Sequence, residues 1–204
     1  MSDESTAIYI LAAGASRRLG QPKQLVPYPD GGTLLSRVFG EASSACPNVF
    51  VILGSRAGLV QKEACIPAHR ILINDRWEEG MGSSVRLAGL DAQRRKWRAI
   101  VLAVADQPFL TGQVLSDLLE ADEELMASCY QNGVVGTPVR VGFSNYELLS
   151  ESEGDAGLRR IFRHQLDLST VEFPRGNFDV DSPGDMERLF RAKIYPHNSL
   201  SRSR

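Results

Sequence analysis

No apolar run in these 204 residues approaches the roughly 20 needed to cross a bilayer as a helix, so no membrane partner is expected. Nor does one charge prevail. Lys and Arg number 23 against 25 Asp and Glu, and the formal net charge of −2 offers no basic field for nucleic acid. Any polyanion bound must therefore be small and met by a local cluster of cations. Cysteine is scarce: Cys46, Cys65 and Cys129 are odd in number, widely spaced and without a CxxC pair or a nearby His. That usage suits reduced thiols and argues against a disulfide framework or a zinc site. The opening stretch "MSDESTA" has neither the basic region nor the apolar segment of a signal peptide, which predicts a cytoplasmic chain.

What is present is an alternation. Short β-rich runs occur as "AIYILA" from Ala7, "NVFVILG" from Asn48, "HRILIN" from His69, "AIVLAVAD" from Ala99 and "LSTVEF" from Leu168. Stretches with helical spacing separate them: one after a Thr33 cap, one from Ser83 or Ser84 to about Ala92, and one from Gly112 to about Glu124. A last helix is announced by "SPGDMERLF", with Ser182 as N-cap, Pro183 at the first helical position and Asp185 completing a capping box. Strands alternating with helices predict an α/β fold: a Rossmann-like, doubly wound, mostly parallel sheet. Residues 1–194 read as a single domain and 195–204 as a polar, flexible tail. Ligands of such sheets sit at the carboxyl ends of strands, where "LAAG" and "AVADQP" both fall.

The first of these strand ends, "LAAGASRRLGQPK" from Leu11 to Lys23, gathers cations beside glycine. Backbone amides of such a turn can converge on phosphate oxygens, and Gly14 withholds a side chain that would block approach. Arg18 brings a planar fork of donors, and Lys23 a point charge on a flexible stem aimed by Pro22. Neither GxGxxG nor the P-loop spacing is met, and a solvated turn with rim salt bridges is the competing reading.

Asp106 ends the most apolar strand, where an ionised carboxylate needs a partner. A hard divalent cation is one, since Mg²⁺ takes one or two carboxylates with phosphate oxygens and water. A helix cap or loop role is the other. In an extended "DVDSP" segment Asp179 and Asp181 alternate with Val180 and face one side, so either could reach a metal.

Five segments, in order and covering most of the chain, resemble the nucleotidyltransferases that build molybdenum cofactor dinucleotides. "LAAGASRRLGQPK" resembles LAAGxSxRMGxxK, with Leu19 in place of methionine. "NDRWEEGMGSSV", "VADQP", "YQNGVVGTPV" and "DVDSPGDM" resemble the segments that follow it. The resemblance implies the nucleotide-diphospho-sugar transferase type of fold and a nucleotide site made by Leu11, Ala12, Ala13, Gly14, Arg18, Lys23, Asn74, Gly80 and Ser84. It implies Arg18, Lys23 and Asp106 as catalytic residues, and Mg²⁺ on Asp106 and Asp181 in preference to Asp179. The acceptor side is implied at Gly136 and Pro138, and at Asp155 and Arg159 within "EGDAGLRRIF", where Leu158 departs from the family's alanine.

The implied reaction is Mg-dependent transfer of a cytidylyl group from CTP to molybdopterin, releasing pyrophosphate. A receiving molybdoenzyme is a further possible partner. Ala12-Ala13 stands where guanine-using relatives typically carry Gly-Gly, which favours CTP. None of the three histidines, His69, His164 and His197, falls in a matched motif, which leaves a Ser/His/Asp hydrolase without support. The alternatives are guanylyl transfer to the same cofactor, cytidylyl or uridylyl transfer to a sugar or polyol phosphate, and a non-catalytic module that carries nucleotide or cofactor.

Overall fold

The structure is a computed structural model describing residues 5–154, 158 and 168–194. Asp155, Arg159 and the tail from 195 to 204 lie outside the described residues.

Three strands account for the middle of the sheet: β1 (Thr6–Ala12), β2 (Val49–Leu53) and β4 (Ala99–Val104), each buried along its whole length. Burial on both faces explains why their sequences are continuously apolar rather than alternating. β1 pairs in parallel with β2 on one side and β4 on the other, and β3 (Ile71–Ile73) extends the sheet beyond β2. On the far side come β5 (Leu125–Cys129), β6 (Val135–Gly142) and β7 (Ser169–Glu172), giving the order β3-β2-β1-β4-β6-β5-β7. β6 is antiparallel to both of its neighbours, whereas every other pairing is parallel. The chain forms the expected mostly parallel α/β sheet, made mixed by the antiparallel β6.

Successive residues of a strand face opposite layers, and the core divides accordingly. From β1, Ile8 and Ile10 join Leu35, Val38, Leu115 and Leu118 of α1 (Leu34–Ala45) and α4 (Gly112–Glu120). Tyr9 and Leu11 face the other way, onto Val85 and Ala88 of α3 (Met81–Arg95) and Leu149 of α5 (Tyr146–Ser150). The short α2 (Ala57–Glu63) follows β2. On the α3 side Tyr9 donates to Asp91 at 2.9 Å, and Arg94 and Arg95 each reach the same carboxylate at 2.6 Å. Burial alone would raise the Asp91 pKa, but its bonds to Arg95, Tyr9 and Arg94 outweigh burial and hold it below the usual carboxylate range.

A third apolar cluster bears directly on the site. Leu19, Val26, Tyr28 and Leu34, from the segment after β1, pack on Val180 and Leu189 near the other end of the chain. Leu189 belongs to α6 (Pro183–Ile194), which begins as its sequence foretells. Asp185 Oδ2 accepts from the Ser182 amide at 2.9 Å and hydroxyl at 2.7 Å, and the Asp185 amide returns a bond to Ser182 Oγ at 3.3 Å.

Three boundaries and three elements differ from expectation. The helix from Gly112 stops at Glu120, not Glu124, because Arg140 reaches across from β6 to take the carbonyls of Leu118, Leu119 and Glu123. β5 and β6, and the helix α2, were not foreseen as elements. Of the "HRILIN" run only Ile71–Ile73 is strand, since His69 and Arg70 lie in a 3₁₀ turn. The helix expected from Ser83 or Ser84 starts earlier, at Met81, and runs on to Arg95.

Candidate active site

At the carboxyl ends of β1 and β4 lies a cleft of about 360 Å³, within the size range of small-molecule sites. The loop after β1 forms one wall. Leu11, Ala12, Ala13 and Gly14 all line it, as does Lys23 farther along. A Cβ built on Gly14 would meet no protein atom within 4 Å, so the space beside this glycine is left to the cleft. The loop is held from behind by Gln24, whose buried amide donates to Ala12 O at 2.6 Å and Gly14 O at 3.0 Å. The Lys23 amide donates to Ser16 Oγ at 2.9 Å, which closes the turn.

The opposite wall is the start of α3. Gly80, with φ of 96° that favours glycine, turns the chain into the helix, and Gly80, Met81 and Ser84 border the cleft. The positive end of a 15-residue helix dipole thus faces the glycine loop. Asn74 sits beneath this wall rather than on it. Its side-chain amide donates to Ser83 Oγ at 2.8 Å and Ser84 Oγ at 2.9 Å, and its Oδ1 accepts from the Arg76 amide at 3.0 Å. Asn74 therefore fixes the serines. Ser84 Oγ accepts from it and so presents its own hydroxyl as a donor along the wall.

Charge collects at the mouth. Lys23 Nζ forms a short ion pair with Asp106 Oδ2 and a second with Asp181 Oδ1 at 3.2 Å. Arg18 reaches Asp181 Oδ2 at 3.4 Å from a largely exposed position. Burial disfavours the Lys23 charge, yet Asp106 and then Asp181 more than compensate and hold its pKa above the ordinary value. Asp179 stands in the same crowded rim. Desolvation first, then the like charge of Asp106, push it up to about 7, with Lys23 opposing. Among the described residues no group of three or more His, Cys, Asp or Glu is arranged to hold a metal ion. Two carboxylates nevertheless suit a hard divalent cation that also takes phosphate oxygens and water. Asp106 Oδ1 adds a fitting sign, being buried with no hydrogen-bond partner.

Gly136 and Pro138 lie on β6, away from the residues lining the cleft, next to the group that follows Asp106. Gln107, almost fully buried, donates to Thr137 O at 3.2 Å, Gly176 O at 2.7 Å and Tyr130 Oη at 3.0 Å. This joins the end of β4 to the β6 wall. A Cβ on Gly136 would collide with the Tyr130 ring, so the glycine is needed for that packing. Sequence reasoning passed over Gln24, Gln107 and Arg17, the last of which lines the cleft where Arg18 does not. Uncharged amides in turn-like segments carry no motif signal, and two adjacent arginines cannot be told apart without the turn between them.

Residues 8–170 match the family model described as MobA-like NTP transferase domain. The chain is 31% identical over 194 residues to nicotine blue oxidoreductase of Paenarthrobacter nicotinovorans, covering 88% of this chain and 94% of that one. It is 30% identical over 118 residues to a probable molybdenum cofactor guanylyltransferase of Rhodopirellula baltica, covering 56% and 54% of the two chains. Among solved structures, Rv0371c of Mycobacterium tuberculosis H37Rv superposes with a TM-score of 0.79 at 27% identity, over 94% of this chain and 100% of that one. Rv0371c has also been solved as a complex with manganese.

Proposed function

The chain belongs to the MobA-like NTP transferase family, and from this premise we propose that it transfers a nucleotidyl group, preferably cytidylyl from CTP, to the terminal phosphate of molybdopterin. The observation that carries the reading is the meeting of Lys23 with Asp106 and Asp181 at the mouth of a cleft walled by the Gly14 loop and the start of α3.

In this reaction a phosphate oxygen of the acceptor forms a bond to the α-phosphorus of the triphosphate. The bond from that phosphorus to the bridging oxygen of the β-phosphate breaks, and pyrophosphate leaves with the electron pair. The attacking phosphate is already ionised near neutral pH, so no strong base is needed. Alignment and charge stabilisation carry the acceleration. Amides of the Gly14 loop and the α3 dipole receive the phosphates, while Lys23 and Arg18 stabilise the negative charge that builds on the departing pyrophosphate. A divalent cation such as Mg²⁺, held by Asp106 and Asp181, would neutralise phosphate oxygens during transfer. Ala12, Ala13, Gly80 and Ser84, which line the cleft, are assigned to the base, and Ala12-Ala13 in place of the Gly-Gly typical of guanine-using relatives supports CTP. Gly136 and Pro138, with Asp155 and Arg159, take the acceptor side.

An oxidoreductase reaction is the second reading, favoured by the likeness to a protein of that name over most of the chain. No GxGxxG dinucleotide motif follows β1, and this supports nucleotidyl transfer over a redox reaction. The test is pyrophosphate release with CTP, GTP or UTP, each with and without molybdopterin, beside NADPH oxidation monitored by absorbance. Release that requires both CTP and the pterin is expected, and Asp106→Asn should abolish it in a folded protein. Release with GTP assigns guanylyl transfer. A sugar or polyol phosphate replacing the pterin assigns the sugar-nucleotide alternative. Tight nucleotide binding without release assigns a carrier module.

A further inference from the structure

We infer that Lys23 is an internal counter-ion that closes the carboxylate pair to metal, so that a divalent cation enters only with a polyphosphate that draws the lysine away. This rests on the proposed reading of the cleft as a metal-assisted triphosphate site. The four carboxylate oxygens are accounted for as follows. Asp106 Oδ2 and Asp181 Oδ1 face Lys23 Nζ, the latter at 3.2 Å, and Asp181 Oδ2 faces Arg18 at 3.4 Å. Asp106 Oδ1 is sealed from solvent and has no partner. No oxygen is both exposed and free of a cation.

An ammonium and a divalent cation cannot share these oxygens, because at contact distance their charges repel strongly in a partly buried setting. Metal binding therefore requires the ammonium to leave. The backbone of Lys23 cannot follow, since its amide is tied to Ser16 Oγ at 2.9 Å and the residue opens a 3₁₀ turn. Its side chain can, having a flexible stem and three donors with no fixed geometry. A polyphosphate beside Gly14 offers those donors oxygens of higher charge density on the same side of the cleft. The lysine moves onto the phosphate, and the carboxylates become available. Metal and polyphosphate thereby strengthen each other's binding by the same factor, as linkage demands.

The experiment measures Mn²⁺ affinity by water-proton relaxation enhancement, which separates protein-bound ion from free chelate. Wild type, Lys23→Met and Lys23→Arg are compared with Mn²⁺ alone, and wild type also with CTP. Wild type and Lys23→Arg should bind Mn²⁺ alone weakly, and Lys23→Met should bind it about tenfold more tightly, a typical coupling factor. Wild type should gain a similar factor when CTP is added. The double variant Lys23→Met, Asp106→Asn should lose the gain. Circular dichroism melts verify folding, with Lys23→Gln replacing Lys23→Met if the latter does not fold. Equal affinity of Lys23→Met and wild type for Mn²⁺ alone overturns the inference and leaves the proposed function standing if wild type binds Mn²⁺ with CTP. Tight binding that survives in the double variant also overturns it. Absence of Mn²⁺ binding in every arm, CTP included, overturns both.

Discussion

The backbone amide of Val180 donates to the carbonyl oxygen of Asp106 at 3.0 Å. This bond fastens the segment bearing Asp179 and Asp181 to the end of β4, and Val180 is itself fully buried beside Leu19 and Val26. The two carboxylates on Lys23 are thus brought together by main chain and apolar packing, not by mutual attraction. Like charges alone would drive them apart.

Val180→Ala should accordingly keep the fold but loosen the second carboxylate. A loss of about 1–2 kcal/mol in a denaturant melt is expected for removing two buried methyl groups. The rate of pyrophosphate release at saturating nucleotide should fall several-fold. An unchanged rate in a destabilised protein would show that Asp181 does not depend on this packing.

Asn74→Ala removes the amide that orients Ser83 and Ser84. Two buried hydroxyls lose their donor, which should cost about 1–3 kcal/mol of stability. The nucleotide KM should rise with less effect on kcat, because the change loosens the wall rather than the charged mouth. Steady-state kinetics with varied CTP separates the two, and a pure kcat defect would contradict the placement.

Arg140 is a buried arginine whose donors end α4 by binding three carbonyls. Arg140→Ala leaves those carbonyls unpaired and opens a cavity, so a loss of about 3 kcal/mol is expected. Arg140→Lys should recover only part of it, lacking the fork that spans Leu118, Leu119 and Glu123. Calorimetric melting temperatures test the ranking wild type, Lys, Ala.

Asp91 supplies a pH signature. Its folded pKa lies below the ordinary value, so it binds fewer protons folded than unfolded in the acid range. Its contribution is fully present above about pH 4, the unfolded carboxylate range, and is lost as pH falls through the lower folded value. Asp91→Asn should destabilise by about 2 kcal/mol at neutral pH. The difference should shrink toward pH 2 in urea titrations; a difference independent of pH would refute the assignment.

What the sequence discloses and what it hides follow physical lines. Strands covered on both faces advertise themselves, which is why β1, β2 and β4 are legible from composition. The Ser182–Asp185 box is legible because its bonds are local. β5 and β6 are hidden: β6 carries Gly136, Pro138 and Arg140, poor strand residues whose places are set by Tyr130, Ser128 and the end of α4. At the site, Gly14, Lys23 and Asp106 stand out by chemical contrast with their surroundings. Gln24 and Gln107 do not, since an amide acquires its meaning only from the carbonyls folded around it.

The packing of Val180 and Leu189 on Leu19 and Val26 carries a temporal consequence. As the protein emerges from the ribosome, the glycine loop and Asp106 are available long before Asp181. A nascent chain that ends before Asp181 lacks half of the acidic pair that Lys23 meets. A product that stops short of Val180 would also lack the Val180 amide bond to Asp106 and the packing on Leu19 and Val26, and the loop after β1 would lose that cover.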